Sequence, residues 1–156
     1  MAKTSAGLLM YRVSGGALEV LLVHLGGPFW QKKDAGAWVI PRGEVEENED
    51  LLAAARREFA EETGFASRGP CAELGEVRQK SGKRICIWAF RGDCDPATLR
   101  SNTFEIEWPP RSGKRKSFPE VDRAEFFLIE EAKKRIMPAE TVFLEKLCAL
   151  DSEYKR

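Results

Sequence analysis

Histidine is nearly absent from this 156-residue sequence: His24 stands alone, and the four cysteines, Cys71, Cys86, Cys94 and Cys148, form no CxxC pair. Zinc sites draw on clustered His and Cys, so no zinc set is available, and the thiols read as buried or idle side chains in a reducing compartment. An excess of either charge is missing too. Lys+Arg and Asp+Glu both number 25, which argues against bulk attraction to nucleic acid and leaves any affinity for phosphate to local groups. Long apolar runs are lacking: the first is cut by Arg12, too early for a signal-peptide core or a spanning helix. The expectation is a cytoplasmic protein without a membrane partner, with nucleic acid disfavoured and the oligomeric state open.

A chain of this length can bury about two-thirds of its unfolded surface, so one domain over 1–156 is expected, with no need of disulfides or a structural metal. Residues 6–13 and 18–25 are apolar, β-rich runs around Ser14-Gly15-Gly16-Ala17, the pattern of a hairpin with a glycine turn. Residues 26–36 form a loop that can rim a site, and 37–40 a short strand stopped by Pro41. Residues 49–63 read as a helix with Asn48 as N-cap, acids in the first turn and Gly64 as its C′ residue. Strands are predicted at 73–78, 84–90, 104–108 and 126–129, and loops at 95–102 and 109–117. Helical stretches follow at 130–136 and 141–150, divided by Pro138. Periodicity alone gives a mixed α/β class. No long repeat appears, although Ser-Gly-Lys-Arg occurs at 81–84 and again at 112–115 in different surroundings.

What is abundant is carboxylate on one helical turn. Glu58, Glu61 and Glu62 stand at i, i+3 and i+4, an arc of about 100° on the helix surface. Like charges at that spacing repel, and a hard divalent cation between them is the natural remedy. Leu52, Ala55 and Phe59 fall about 100° away, so one helix can pack on a sheet and present acids at its edge.

The segment GEVEENEDLLAAARREFAEETGF fits the pattern Gly-x5-Glu-x7-Arg-Glu-apolar-x-Glu-Glu-x-Gly-apolar without a departure, at Gly43, Glu49, Arg57, Glu58, Phe59, Glu61, Glu62, Gly64 and Phe65. With seven fixed residues at roughly 0.07 frequency each, chance agreement at a given start is on the order of 10⁻⁸. This is the Nudix box, and the chain resembles the Nudix hydrolases. The resemblance implies an α/β/α sandwich with a mixed sheet, and Mg²⁺- or Mn²⁺-dependent cleavage of a diphosphate bond in a nucleoside diphosphate derivative. By the same resemblance Glu58, Glu61 and Glu62 are metal ligands, with the Gly43 carbonyl a further one. The general base is Glu58, Glu62 or an acid outside the box, for which Glu105, Glu107 and Glu120 are the choices. Arg57 is placed to orient a carboxylate through charge-assisted bonds. Glu49 either supports the site or faces the helix dipole.

Groups that could choose a substrate lie around the box. Arg42 stands at its start, while Lys83 and Arg84 sit in one locally basic turn and Arg111, Lys114, Arg115 and Lys116 in another. Trp30 and Trp108 lie in loop contexts suited to stacking on a base, whereas Trp38, Trp88 and His24 sit among apolar strand neighbours and read as core. Residues 118–127, FPEVDRAEFF, and Pro41-Arg42-Gly43 resemble Nudix proteins that act on dinucleoside polyphosphates; Glu44 stands where a histidine often follows in the asymmetric tetraphosphate hydrolases. Dinucleoside polyphosphates and nucleoside triphosphates are the leading substrate classes. The alternatives are a Nudix-like module that binds a phosphorylated metabolite without turnover, and an enzyme acting on the 5′ end of RNA.

Overall fold

Gly15 and Gly16 carry φ of 58° and 81° between β1 (Thr4–Ser14) and β2 (Ala17–Leu25), which pair antiparallel with Ser14 opposite Ala17. Positive φ at both central residues is what a type I′ hairpin turn requires, and glycine adopts it without a Cβ clash. The computed structural model describes residues 3–154; Met1, Ala2, Lys155 and Arg156, at the ends of the expected domain, lie outside it. The chain continues through β3 (Trp38–Val39), β4 (Arg42–Glu44), α1 (Leu51–Thr63), β5 (Ala72–Arg78) and β6 (Arg84–Arg91). Then come β7 (Thr103–Glu107), β8 (Arg115–Pro119), β9 (Val121–Leu128), α2 (Ile129–Arg135) and α3 (Thr141–Tyr154).

Seven strands form one sheet in the order β3-β2-β1-β6-β5, with β4 paired to β1 and β9 to β2. The β1–β6 ladder is parallel and the others antiparallel, so the sheet is mixed. Its central strands are apolar on both faces because both are covered. On one face Leu8, Met10, Leu21 and Val23 meet Ala54, Ala55 and Phe59 of α1. On the other, Leu9, Val20, Leu22, Ile85 and Ile87 meet Ala132 and Ile136 from the α2 end and Phe143, Leu144 and Leu147 of α3. The result is the expected α/β/α sandwich. Among the described residues no helix is long and apolar enough to cross a membrane.

Three sequence expectations need correction. The N-cap of α1 is Asp50, whose carboxylate accepts the Ala53 N–H at 3.0 Å, and not Asn48. Asn48 has φ of 63°, a left-handed conformation, whereas a cap residue needs the extended one that Asp50 holds at φ −63° and ψ 136°. The helix therefore starts two residues late and its first turn holds no acid. Residues 115–117, expected in a loop, belong to β8, which pairs with β7 in a separate two-stranded sheet with Glu107 opposite Arg115. Its basic, solvent-facing residues give no apolar alternation to read. Finally, the strand expected at 126–129 begins at Val121, where Asp122, Arg123 and Glu125 dilute the pattern along the ladder to β2.

Candidate active site

Helix α1 buries Ala54, Ala55 and Phe59 and carries Glu58, Glu61 and Glu62 along the edge nearest β4. Gly64, at φ 78°, closes the helix by donating its N–H to Ala60 O at 2.8 Å. Strand β4 comes so close that a Cβ on residue 43 would displace the Glu58 carboxylate from its place beside the strand.

Arg57 organises one end of this edge. Its guanidinium donates from Nε and Nη2 to the two oxygens of Glu49, both at 2.8 Å, and from Nη1 to Glu58 Oε1 at 2.7 Å. Glu61 Oε2 lies 3.3 Å from the same Nη1, and the Glu44 carbonyl accepts from Nη2 at 3.2 Å. Planar, forked donation of this kind fixes carboxylate orientation as well as charge. Glu49 also accepts the Glu46 N–H at 3.0 Å, and Arg57 before that backbone bond draws its carboxyl down to about 2. Glu49 thus holds Arg57 from just outside the helix, one residue before the Asp50 cap.

The other end is the opposite. Glu62 is 6% exposed, and burial, followed by the charges of Glu120 and Glu58, pushes its carboxyl up to about 8 against the pull of Arg42's charge and backbone N–H. Glu58 is also raised by burial, which outweighs Arg57. Of the three outside acids, Glu120 is the one whose charge bears on both Glu58 and Glu62. The fold delivers it there: its N–H donates to Asn102 O at 2.8 Å and its carbonyl accepts from Gly26 N at 2.9 Å, where a side chain on residue 26 would strike Pro119 O. Glu105 and Glu107 sit on β7, Glu105 facing Arg115 at 3.5 Å.

The groups expected to touch substrate are dispersed around this edge. Arg42 turns inward, with Nη2 3.3 Å from Glu140 Oε2. Arg84 is engaged with Glu76 at 2.7 and 3.1 Å, and Lys83 occupies the adjoining β5–β6 turn, where its charge acts on Glu140. Trp30 is covered by Lys33, whose Nζ lies 5.0 Å from the ring centre. Trp108 packs edge-on against Phe29 at 5.5 Å, and Phe29 is 64% exposed. In sequence Phe29 is no more than an aromatic beside Gly26-Gly27-Pro28. Trp38 is fully buried and Trp88 packs against the α1-side core, as predicted. His24 is buried with Nδ1 2.7 Å from Asp122 Oδ1 and Nε2 2.6 Å from Lys33 O, which ties the 26–36 loop to β9.

The donor chemistry suits a hard cation. Glu58, Glu61, Glu62 and Glu120 offer oxygen alone, and the charges that Glu58 and Glu120 direct at the buried Glu62 outweigh the cations nearby. Among the described residues no three acidic, His or Cys side chains are grouped closely enough to hold a metal ion as they stand. Cavities of about 460 and 640 Å³, lined by residues such as Phe65 and Cys94 and by Tyr11 and Leu147, include none of these carboxylates.

Known proteins share both the sequence and the shape. The NUDIX domain profile matches residues 1–147. RNA pyrophosphohydrolase of Rhizobium meliloti (strain 1021) is 30% identical over 134 residues, which are 76% of this chain and 75% of that protein. An uncharacterised 17.7 kDa protein of Enterobacteria phage T4 is 31% identical over 119 residues, 74% of this chain and 69% of its own. The crystal structure of a C. elegans Ap4A hydrolase binary complex superposes with a TM-score of 0.67 at 22% identity, covering 97% of this chain and 99% of the other. With an intact box on the expected sandwich and a family match over nearly its whole length, this chain belongs to the Nudix family and is a hydrolase of pyrophosphate bonds.

Proposed function

We propose that the chain hydrolyses a diphosphate linkage in a nucleoside diphosphate derivative, with Mg²⁺ or Mn²⁺, dinucleoside polyphosphates and nucleoside triphosphates being the leading substrate classes. The observation that carries this reading is the uncompensated acid edge: a buried Glu62 facing the charges of Glu58 and Glu120. Gly43 O, Glu58, Glu61 and Glu62 would hold the ion, joined by Glu120. When bound, such an ion would supply positive charge to the phosphates and make water easier to deprotonate. Glu58, oriented by Arg57 through one oxygen, accepts a proton from the attacking water; an oxygen–phosphorus bond forms and the bridging phosphorus–oxygen bond breaks, its electrons leaving with the phosphate. Trp30 and Trp108 would stack on a base, and Lys83 and Arg84 would supply positive charge around the phosphate chain. The Ap4A hydrolase among the similar structures lends support to the dinucleoside polyphosphate class, and the similar RNA pyrophosphohydrolase to the second reading below.

A second reading, action on RNA 5′ ends, draws on Arg111, Lys114, Arg115 and Lys116, all exposed at the β7–β8 hairpin next to Trp108. The test is incubation with Mg²⁺ and nucleoside triphosphates, dinucleoside polyphosphates, nucleotide sugars and short 5′-triphosphorylated RNA, beside Glu62→Gln, with products identified by mass. Product from the parent alone names the class. Ligand-dependent thermal stabilisation without any product would replace the enzyme by a binding module.

A further inference from the structure

A carboxylate removed from water is costly unless charged or polar partners replace the water. Glu140 is 0% exposed, in a short 3₁₀ turn (Pro138–Glu140) ahead of α3. The turn is pinned to the strand before the box: Met137 N donates to Trp38 O at 2.8 Å and Glu140 N to Met137 O at 2.9 Å. From there Glu140 Oε1 accepts the Ile40 N–H at 3.0 Å, and Oε2 faces Arg42 Nη2 at 3.3 Å. One buried carboxylate therefore grips both sides of Ile40-Pro41-Arg42. Pro41 has no N–H to anchor and contributes its carbonyl, which accepts from Leu8 N at 3.2 Å.

The two residues beyond this grip meet the acid edge directly. Gly43 lies against the Glu58 carboxylate, and the Arg42 backbone N–H and charge both favour the ionised form of Glu62. The Arg42 guanidinium is held within the protein, its Nε buried without a hydrogen-bond partner, as is Glu140 Oε2. The Oε2–Nη2 contact is thus charge attraction more than a well-formed hydrogen bond, and a neutral side chain able to satisfy Ile40 would not reproduce it. Lys83, whose charge also acts on Glu140, approaches from the β5–β6 turn.

We propose that Glu140 is a positioning residue for the hydrolytic site: by holding Ile40 and Arg42 it fixes the Arg42–Gly43 backbone against Glu62 and Glu58, and it commits the Arg42 guanidinium to the protein in place of the substrate's phosphates. This rests on the metal-edge reading of the box given above. Groups behind metal ligands typically tune affinity or turnover by roughly 10- to 100-fold.

The test compares the parent with Glu140→Leu and Glu140→Gln, reading two quantities: Mn²⁺ affinity without substrate, from the loss of the free-ion EPR signal, and kcat and KM on the substrate found in the panel. Glu140→Leu is expected to weaken Mn²⁺ binding about 10-fold and lower kcat about 10-fold, with KM within about twofold. Glu140→Gln, which keeps an acceptor for Ile40, should lie between the two. A folded Glu140→Leu with parental Mn²⁺ affinity and kcat would overturn the proposal. So would a raised KM at unchanged kcat, which would return Arg42 to the substrate. Should the leucine variant fail to fold, Glu140→Gln decides alone: a Mn²⁺ affinity reduced at least threefold supports the proposal and an unchanged one overturns it. If the parent binds Mn²⁺ yet hydrolyses nothing in the panel, the substrate reading fails while the Mn²⁺ comparison still judges Glu140.

Discussion

Glu49 and Glu62 belong to one short segment and end in opposite electrostatic states. Glu49 meets both arms of the Arg57 fork and a backbone N–H, and its carboxyl is drawn down to about 2. Glu62 is buried with two more acids directed at it, and its carboxyl is pushed up to about 8. The first end is neutralised by the protein itself; the second is left short of positive charge. That difference separates scaffold from chemistry within a motif that reads as uniformly acidic, because only the uncompensated end has something to gain from a cation and a polyphosphate.

The comparison breaks hardest at the uncompensated end. Glu62→Gln and Glu58→Gln should each lower kcat by roughly 10² or more, because each removes an oxygen donor or the proton acceptor at the reacting water. Metal-free Glu62→Gln should also melt above the parent at pH 8, since it relieves a buried charge. Unchanged turnover in both variants would sink the assignment. At the neutralised end the effect is smaller: Arg57→Ala frees Glu58 and Glu49 without deleting a ligand, so kcat should fall about 10-fold, with Arg57→Lys recovering little because it lacks the fork. A loss as deep as that of Glu62→Gln would show that Arg57 reacts and does not merely orient.

How far this division could be read from residues alone follows from distance along the chain. The first hairpin, α1 and the box were legible, since glycine turns, a 3.6-residue period and fixed spacing are local signals. The capping turn is ambiguous in sequence because Asn48 and Asp50 are both good cap formers, and backbone conformation, which the residue types do not reveal, decides between them. Glu120 was one of three outside acids until the β8–β9 connection brought it against Gly26 and Asn102. Glu140 carried no signal at all: in Pro138-Ala139-Glu140 it looks like a surface acid, and its partners Ile40 and Arg42 lie in another part of the sequence.

The two ends should also titrate with opposite sign. Glu62 keeps its proton in the fold to about pH 8 but loses it near 4.5 when unfolded, so its contribution is complete below pH 4.5 and declines as pH rises toward 8. Without metal the melting temperature should fall over that window. Mg²⁺ favours the ionised carboxylate, so its stabilisation should be several degrees larger at pH 8 than at pH 5.5. Glu140 is raised by burial with the same sign, so Glu62→Gln should flatten the slope in part. Differential scanning fluorimetry across that range decides it; equal Mg²⁺ shifts at both pH values would contradict the picture of Glu62 as the group awaiting the ion.

The smallest effect belongs to Glu49→Gln. A depressed carboxyl stabilises the fold above its unfolded value near 4.5 and loses that contribution as pH falls toward 2, the reverse of Glu62. The amide retains an oxygen for Arg57 but not the charge, so at pH 7 the melting temperature should drop slightly, and the gap to the parent should close as pH is lowered from 4.5 toward 2. Turnover should fall only about threefold, because Arg57 keeps its bond to Glu58 without the outer anchor. A gap that stays constant with pH would mean that Glu49 acts through packing and not through charge. A turnover loss matching Glu62→Gln would erase the distinction between the two ends, since the acid already satisfied by Arg57 would then be as necessary to the chemistry as the one left unsatisfied.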